Sequence, residues 1–146
     1  MPEPFVEQIR ITNETQNLVV VRDFITRMVQ KSGLRKSDEN KIKLAVDEAI
    51  SNIIEHAYEA GRSGTIDIEV RSTLELFEIY IRDSGKHFDP GDLPNIDIQS
   101  HVKTGRRHGL GIFLMRQIMD EVEYRYKEGL ENELRLVKYV QAAGSA

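Results

Sequence analysis

Between Phe5 and Ile11 apolar and polar residues alternate loosely, and the run stops at Thr12-Asn13, which predicts a first strand. Asn13 or Thr15 can cap a helix that runs to about Ser32, with Gly33 just past its end. Ser37 or Asp38 can cap a second, longer helix that stops near Ala60-Gly61. Ile66, Ile68 and Val70 alternate with polar residues as a strand does. Leu76 to Ile81 forms another, with Phe77, Ile79 and Ile81 on one face. Helical spacing returns after Gly111 at Ile112, Leu114, Met115, Ile118 and Met119, and Val122–Tyr126 and Leu134–Val140 read as two closing strands.

The resulting order is β-α-α-β-β-loop-α-β-β. Strands that arrive in pairs suited to antiparallel partners, with helices gathered elsewhere, predict an α+β two-layer sandwich rather than a doubly wound sheet. The interruption from Asp83 to His108 carries Gly85, Pro90, Gly91, Pro94 and Gly105 and few periodic apolar positions. A structureless connection of that length inside a compact domain is uncommon and usually functional or mobile. No repeat or linker divides the chain, so a single domain over 1–141 is expected, with Ala142–Ala146 as a flexible tail.

Composition narrows the partners. Of 146 residues, 20 are Lys or Arg and 24 Asp or Glu, a formal net charge of −4 with no basic tail or stripe. Binding duplex phosphates needs clustered cations, so nucleic acid is not expected as a partner. The absence of cysteine excludes disulfide scaffolds and thiolate-bound zinc. Met1-Pro2-Glu3-Pro4 has no secretion-signal character, and no apolar stretch approaches the ~20 residues that cross a bilayer. The expectation is a cytoplasmic protein without membrane contact.

At ~100° per residue, Ile42, Val46, Ala49, Ile53 and Ala57 share one arc of the second helix, its core face. Glu48, Asn52 and His56 follow one another at i, i+4 and i+8 along the edge of that arc. A stripe of this kind is ordinarily a solvated flank, and His56 alone an ordinary hydrogen-bonded histidine. It can also carry chemistry. An Asn oxygen suits Mg²⁺, a hard cation that takes oxygen ligands, and a Glu one turn away can accept a proton from a hydroxyl attacking a γ-phosphate.

Two glycine segments follow. Asp83-Ser84-Gly85 is a common turn sequence, but an Asp at a strand end can also accept a hydrogen bond from an adenine amino group while a Gly lets the flat ring approach. Gly109-Leu110-Gly111 opens a helix whose N–H groups form a phosphate site, with Lys103, Arg106, Arg107 and His108 just ahead of it. The pattern is neither a P-loop nor a dinucleotide fingerprint. The helix stripe and each of the two glycine segments are weak alone; all three together, in this order, point to nucleotide.

These residues resemble the GHKL (Bergerat-fold) ATPases and, within them, the anti-sigma-factor serine/threonine kinases. Leu44–Tyr58 is similar to that family's N box, and Asp83–Pro90 to its first glycine box in the Phe-Asp-Pro form. Gly109–Met115, running into Met119-Asp120-Glu121-Val122, is similar to the second. Arg22-Asp23-Phe24 and Asn132–Lys138 fit the same branch, so the resemblance covers nearly the whole chain. It implies a mostly antiparallel mixed sheet covered on one face by three helices. Glu48 would be the catalytic base and Asn52 the Mg²⁺ ligand; Asp83 would bind the adenine amino group with Gly85 beneath the ring.

Gly109, Leu110 and Gly111, with the end of a lid over Asp92–His108, would hold the ATP phosphates, and His56, Phe88, Lys103 and Arg107 complete the implied nucleotide set. The implied substrate is a serine or threonine on an anti-anti-sigma protein of STAS fold. The second implied partner is a sigma factor held by a homodimer. The alternative is a regulatory module that binds ATP and sequesters its partner without kinase activity. A sensor histidine kinase is not expected, because no helical hairpin with a phosphoacceptor His precedes the boxes. Two features depart from the family pattern. Lys86-His87-Phe88 stands where many members have a second glycine, and Leu130-Glu131-Asn132 where sporulation-type members have Gly-Thr.

Overall fold

The computed structural model describes residues 2–57, 64–85, 107–127 and 131–141. Strand β1 (Phe5–Thr12) leads through a 3₁₀ turn at Thr15–Asn17 into helix α1 (Leu18–Lys31), and α2 (Lys36–Asn52) continues as a π-helical turn over Ile53–Ala57. Strands β2 (Thr65–Ser72) and β3 (Leu76–Asp83) follow, then helix α3 (Arg107–Ile118) and strands β4 (Glu121–Lys127) and β5 (Glu131–Tyr139). The sheet order is β1-β2-β3-β5-β4. All four pairings are antiparallel, so the sheet expected to be mostly antiparallel is wholly so among the described residues.

The period-2 pattern sets the two faces. Ile66, Ile68, Val70, Phe77, Ile79, Ile81 and Leu136 are essentially fully buried and form one core with Val21, Ile25, Ile42, Val46 and Ile50 of the helices. Helix α2 packs against both α1 and α3 and is the middle of the helical layer. The face away from the helices carries charge instead. Arg82 bridges Glu69 (3.1 Å) and Glu133 (2.7 Å), and Arg135 bridges Glu78 (2.8 Å) and Glu121 (3.3 Å), so cross-strand ion pairs run from β2 to β4.

Several boundaries differ from the sequence reading. Neither Asn13 nor Thr15 caps α1. The Asn13 side chain accepts a hydrogen bond from Gly64 N (3.1 Å) and its own N–H donates to Gly64 O (3.1 Å), which ties the end of β1 to the start of β2. Helix α2 begins at Lys36, with Arg35 rather than Ser37 or Asp38 at its cap. Its α-helical part ends at Asn52, short of Ala60-Gly61, and residues 58–63 lie outside the described residues. Strand β3 runs two residues further than Ile81, and β5 starts three residues before Leu134. Those two extensions shape the candidate site.

Candidate functional site

Helix α2 presents Glu48, half-buried, and Asn52, buried, one turn apart at its C-terminal end. Their companion His56 lies in the π-helical turn. There the backbone bonds i to i+5, so the α spacing that put His56 in one stripe with Glu48 and Asn52 is not kept. A π-helical turn inside a helix is frequent at functional sites. Arg22 of α1 donates to Asp47, the neighbour of Glu48, at 2.8 Å and helps fix the rotation of α2 against α1.

Asp83 ends β3 and is 7% exposed. Its partners among the described residues are neutral. Asp83 Oδ1 accepts from Gly85 N at 2.9 Å, the local turn its sequence suggested, and from Asn132 Nδ2 at 3.0 Å. Asn132 faces Asp83 directly across the β3–β5 pair. Its Nδ2 also donates to Gly85 O at 3.1 Å, and its Oδ1 accepts from the Tyr124 hydroxyl at 2.9 Å. Burial raises the Asp83 carboxyl above its ordinary range, and the charge of Glu131 adds to this. The Asn132 amide and the Gly85 N–H oppose both.

Gly109, Leu110 and Gly111 lie in the first turn and a half of α3, which starts at Arg107, two residues before the glycine pair. The other end of α3 is anchored on the far part of β5: Lys138 Nζ donates to Ile118 O (3.0 Å), and Asp120 N donates to Val137 O (2.8 Å). The glycine turn is therefore the end of α3 remote from that anchor, where the helix offers unpaired N–H groups. Phe88, Lys103 and the Asp92–Arg106 part of the expected lid lie outside the described residues, as do the side chains of His56 and Arg107.

Among the candidates, the structure thus brings Glu48 and Asn52 together on one helix, and Asp83 and Gly85 together in one turn. The sequence pattern does not show Asn132 as a partner of that turn, nor Tyr124 as the partner of Asn132. Glu131-Asn132-Glu133 has no apolar alternation, so the start of β5 left no strand signal to pair with Asp83. Among the described residues no helix is long and apolar enough to cross a membrane.

Comparison with known proteins agrees with this architecture. Residues 11–138 match the family model of the histidine kinase-like ATPase domain. The chain is 29% identical to a serine-protein kinase RsbW of Halalkalibacterium halodurans, over 95% of this chain and 86% of the relative. Proteins of the same name from Bacillus cereus and from Bacillus thuringiensis are each 27% identical, over 92% of this chain and 84% of theirs. A match from the last residues of β1 to the last strand takes in β2 to β5 and helices α1, α2 and α3, and the chain belongs to the histidine kinase-like ATPase domain family.

Proposed function

We propose that this protein is an ATP-dependent serine/threonine protein kinase that acts as an anti-sigma factor in transcription regulation. In this reading it phosphorylates an anti-anti-sigma partner of STAS fold and holds a sigma factor as a homodimer. The observation that carries the kinase reading is the pair on α2: a half-buried carboxylate, Glu48, one turn from a buried amide, Asn52. Relatives named serine-protein kinase, alike along nearly the full length of both chains, support it.

The roles follow from the chemistry of each group. Asp83 accepts from the adenine amino group with Gly85 beneath the ring, and the first turn of α3 faces the phosphates with its N–H groups. The Asn52 oxygen would hold Mg²⁺, a hard cation that takes oxygen ligands, and a bound ion would supply neutralisation of the phosphate charge. Glu48 takes the proton of the attacking serine or threonine hydroxyl as the new oxygen–phosphorus bond forms and the bond to the β-phosphate oxygen breaks. ADP leaves, and the partner keeps the phosphoryl group. A purely sequestering module needs no base in this position, which favours transfer over sequestration alone.

The test is incubation with Mg-ATP and the partner protein, with mass-spectrometric detection of phosphoserine or phosphothreonine. Transfer that vanishes in Glu48→Ala while ATP still binds supports the reading. ATP binding without transfer to a partner that demonstrably docks would leave sequestration alone.

A further inference from the structure

The carboxyl of Asp83 is held by more than its own turn. Oδ1 takes both of its hydrogen bonds from protein donors, Gly85 N and Asn132 Nδ2, and among the described residues no donor reaches Oδ2. The amide of Asn132 is 3% exposed and makes a matched set of contacts. Its Nδ2 hydrogens meet Asp83 Oδ1 (3.0 Å) and Gly85 O (3.1 Å), while its Oδ1 meets the Tyr124 hydroxyl (2.9 Å). Turning the amide over would set its oxygen against a carboxylate oxygen and a carbonyl oxygen, two acceptors with no proton between them. Only one orientation of the amide satisfies these three neighbours, and in it the donors point at Asp83 and Gly85.

We propose that Asn132, oriented by Tyr124, is a positioning residue for base recognition. It occupies Oδ1 of Asp83 and leaves Oδ2 as the one acceptor that reads a 6-amino purine against a 6-oxo purine. The proposal rests on the nucleotide reading of this site. Its logic is that a carboxylate whose Oδ1 is held by two donors, one from its own turn and one from the facing strand, keeps a single orientation, so its other oxygen presents a fixed acceptor. A 6-amino group donates to that acceptor, whereas a 6-oxo group brings a second acceptor to it. A carboxyl released from Asn132 keeps only the Gly85 N–H on Oδ1, turns more readily and, once protonated, donates to a 6-oxo group as its ionised form accepts from an amino group.

The back of the same strand ends supports the arrangement. Arg82 and Glu133, each one residue before or after the Asp83–Asn132 pair, are bonded on the opposite face at 2.7 Å, so β3 and β5 are held in register where the carboxyl sits.

The experiment is calorimetric titration of the full chain with Mg-ADP and with Mg-IDP, which differ at the purine 6-position. The wild type is expected to prefer ADP. Asn132→Leu, close in volume and without donors, is expected to lower the ADP:IDP affinity ratio by about tenfold or more, and Tyr124→Phe by about fivefold, the scale of one lost hydrogen bond in each step. A fall in the ratio is a readout that general loosening of the sheet would not give, since loosening weakens both nucleotides together. Folded Asn132→Leu with the wild-type ratio overturns the proposal. If that variant does not fold, Tyr124→Phe decides, and an unchanged ratio overturns it. Wild-type protein that binds ADP and IDP equally also overturns it while leaving nucleotide binding intact; wild-type protein that binds neither removes the nucleotide reading as well.

Discussion

Replacing Arg82 by Met tests whether the charged face of the sheet holds the site's strands in register. The Arg82 side chain is 19% exposed and stands between Glu69 and Glu133, whose side chains are 11% and 8% exposed. It also lies over the Tyr80 ring at 4.9 Å. Breaking a fully buried ion pair by removing one partner costs about 3–5 kcal/mol, whereas exposed pairs are worth about 0–1 kcal/mol. This cluster is mostly buried yet open to water on one side, and Glu69 keeps Arg71 as a second partner. A loss of about 2 kcal/mol follows for Arg82→Met, since Met preserves most of the packing.

For a domain of this size that lowers the melting temperature by roughly 4–8 °C, readable by circular dichroism and by a lower urea midpoint at unchanged slope. If the cost comes from the carboxylate left at Glu133, then Glu133→Gln in the Arg82→Met background should recover part of it. A single variant within about 0.5 kcal/mol of wild type, a change no larger than an ordinary surface substitution, would refute the reasoning. So would a double variant less stable than the single. Acid provides an independent check. Burial pushes the Glu69 carboxyl up, but the guanidiniums of Arg71 and Arg82 outweigh it and hold it below the usual range. Its contribution is therefore present above the ordinary carboxylate pKa and is lost as pH falls through the lowered value, and Arg82→Met should weaken that acid dependence.

Three further outcomes are expected. Glu48→Gln keeps the shape of α2 but removes the base, so phosphoryl transfer to the partner should fall by about 10²–10⁴ while the calorimetric ATP affinity stays within a fewfold. Asp83 has the opposite sign to Glu69: its carboxyl is raised by burial, so its contribution is full below the ordinary value and is lost as pH rises through the raised one. Urea midpoints of Asp83→Asn and wild type, compared from about pH 3 to about pH 7, should therefore diverge in favour of the variant as pH rises, and parallel curves would count against it. Ile50→Ala, at a fully buried position between α2 and the sheet, should cost about 3 kcal/mol in urea unfolding.

Most of the sheet and the helical layer was legible in the apolar pattern, because burial against one core imposes period 2 on β2 and β3 and period 3.6 on α1 and α2. Ile66, Ile68 and Val70 or Phe77, Ile79 and Ile81 needed nothing else. The pattern failed where buried residues are polar. Asn132 is 3% exposed and Glu133 6%, yet Glu131-Asn132-Glu133 shows no apolar alternation, and so the sequence pattern starts β5 three residues late. Asn13 is a good helix cap by type, but its side chain is taken by Gly64, a contact between residues 51 apart that no local rule contains. The π-helical turn after Asn52 left no signature either, because helix spacing was assumed past the residue where it ends. The candidate site was readable as residue types in order: Glu48 and Asn52, Asp83 and Gly85, Gly109 and Gly111. What holds Asp83 was not, because Asn132 reaches it across the β3–β5 pair, and Tyr124 reaches Asn132 across the β4–β5 pair, rather than along the chain.

The two faces of β3 and β5 depend on one register. Successive residues of a strand point to opposite faces, so a shift of one position exchanges every inward side chain for its outward neighbour. At these strand ends the exchange would put Arg82 where Asp83 is and Glu133 where Asn132 is. It would bury a guanidinium beside the core and turn the adenine-reading carboxylate of the proposed site out to solvent. Apolar residues oppose the slip in the middle of the sheet, through Ile79, Ile81, Leu134 and Leu136. Within β3 beyond Ile81 and within β5 before Leu134 no apolar side chain is left to do so. The Arg82–Glu133 pair on one face and the Asp83–Asn132 bond on the other take over there, each satisfiable only in the observed register. Charges on the open face therefore belong to the function of the inner one: they decide which face Asp83 is on.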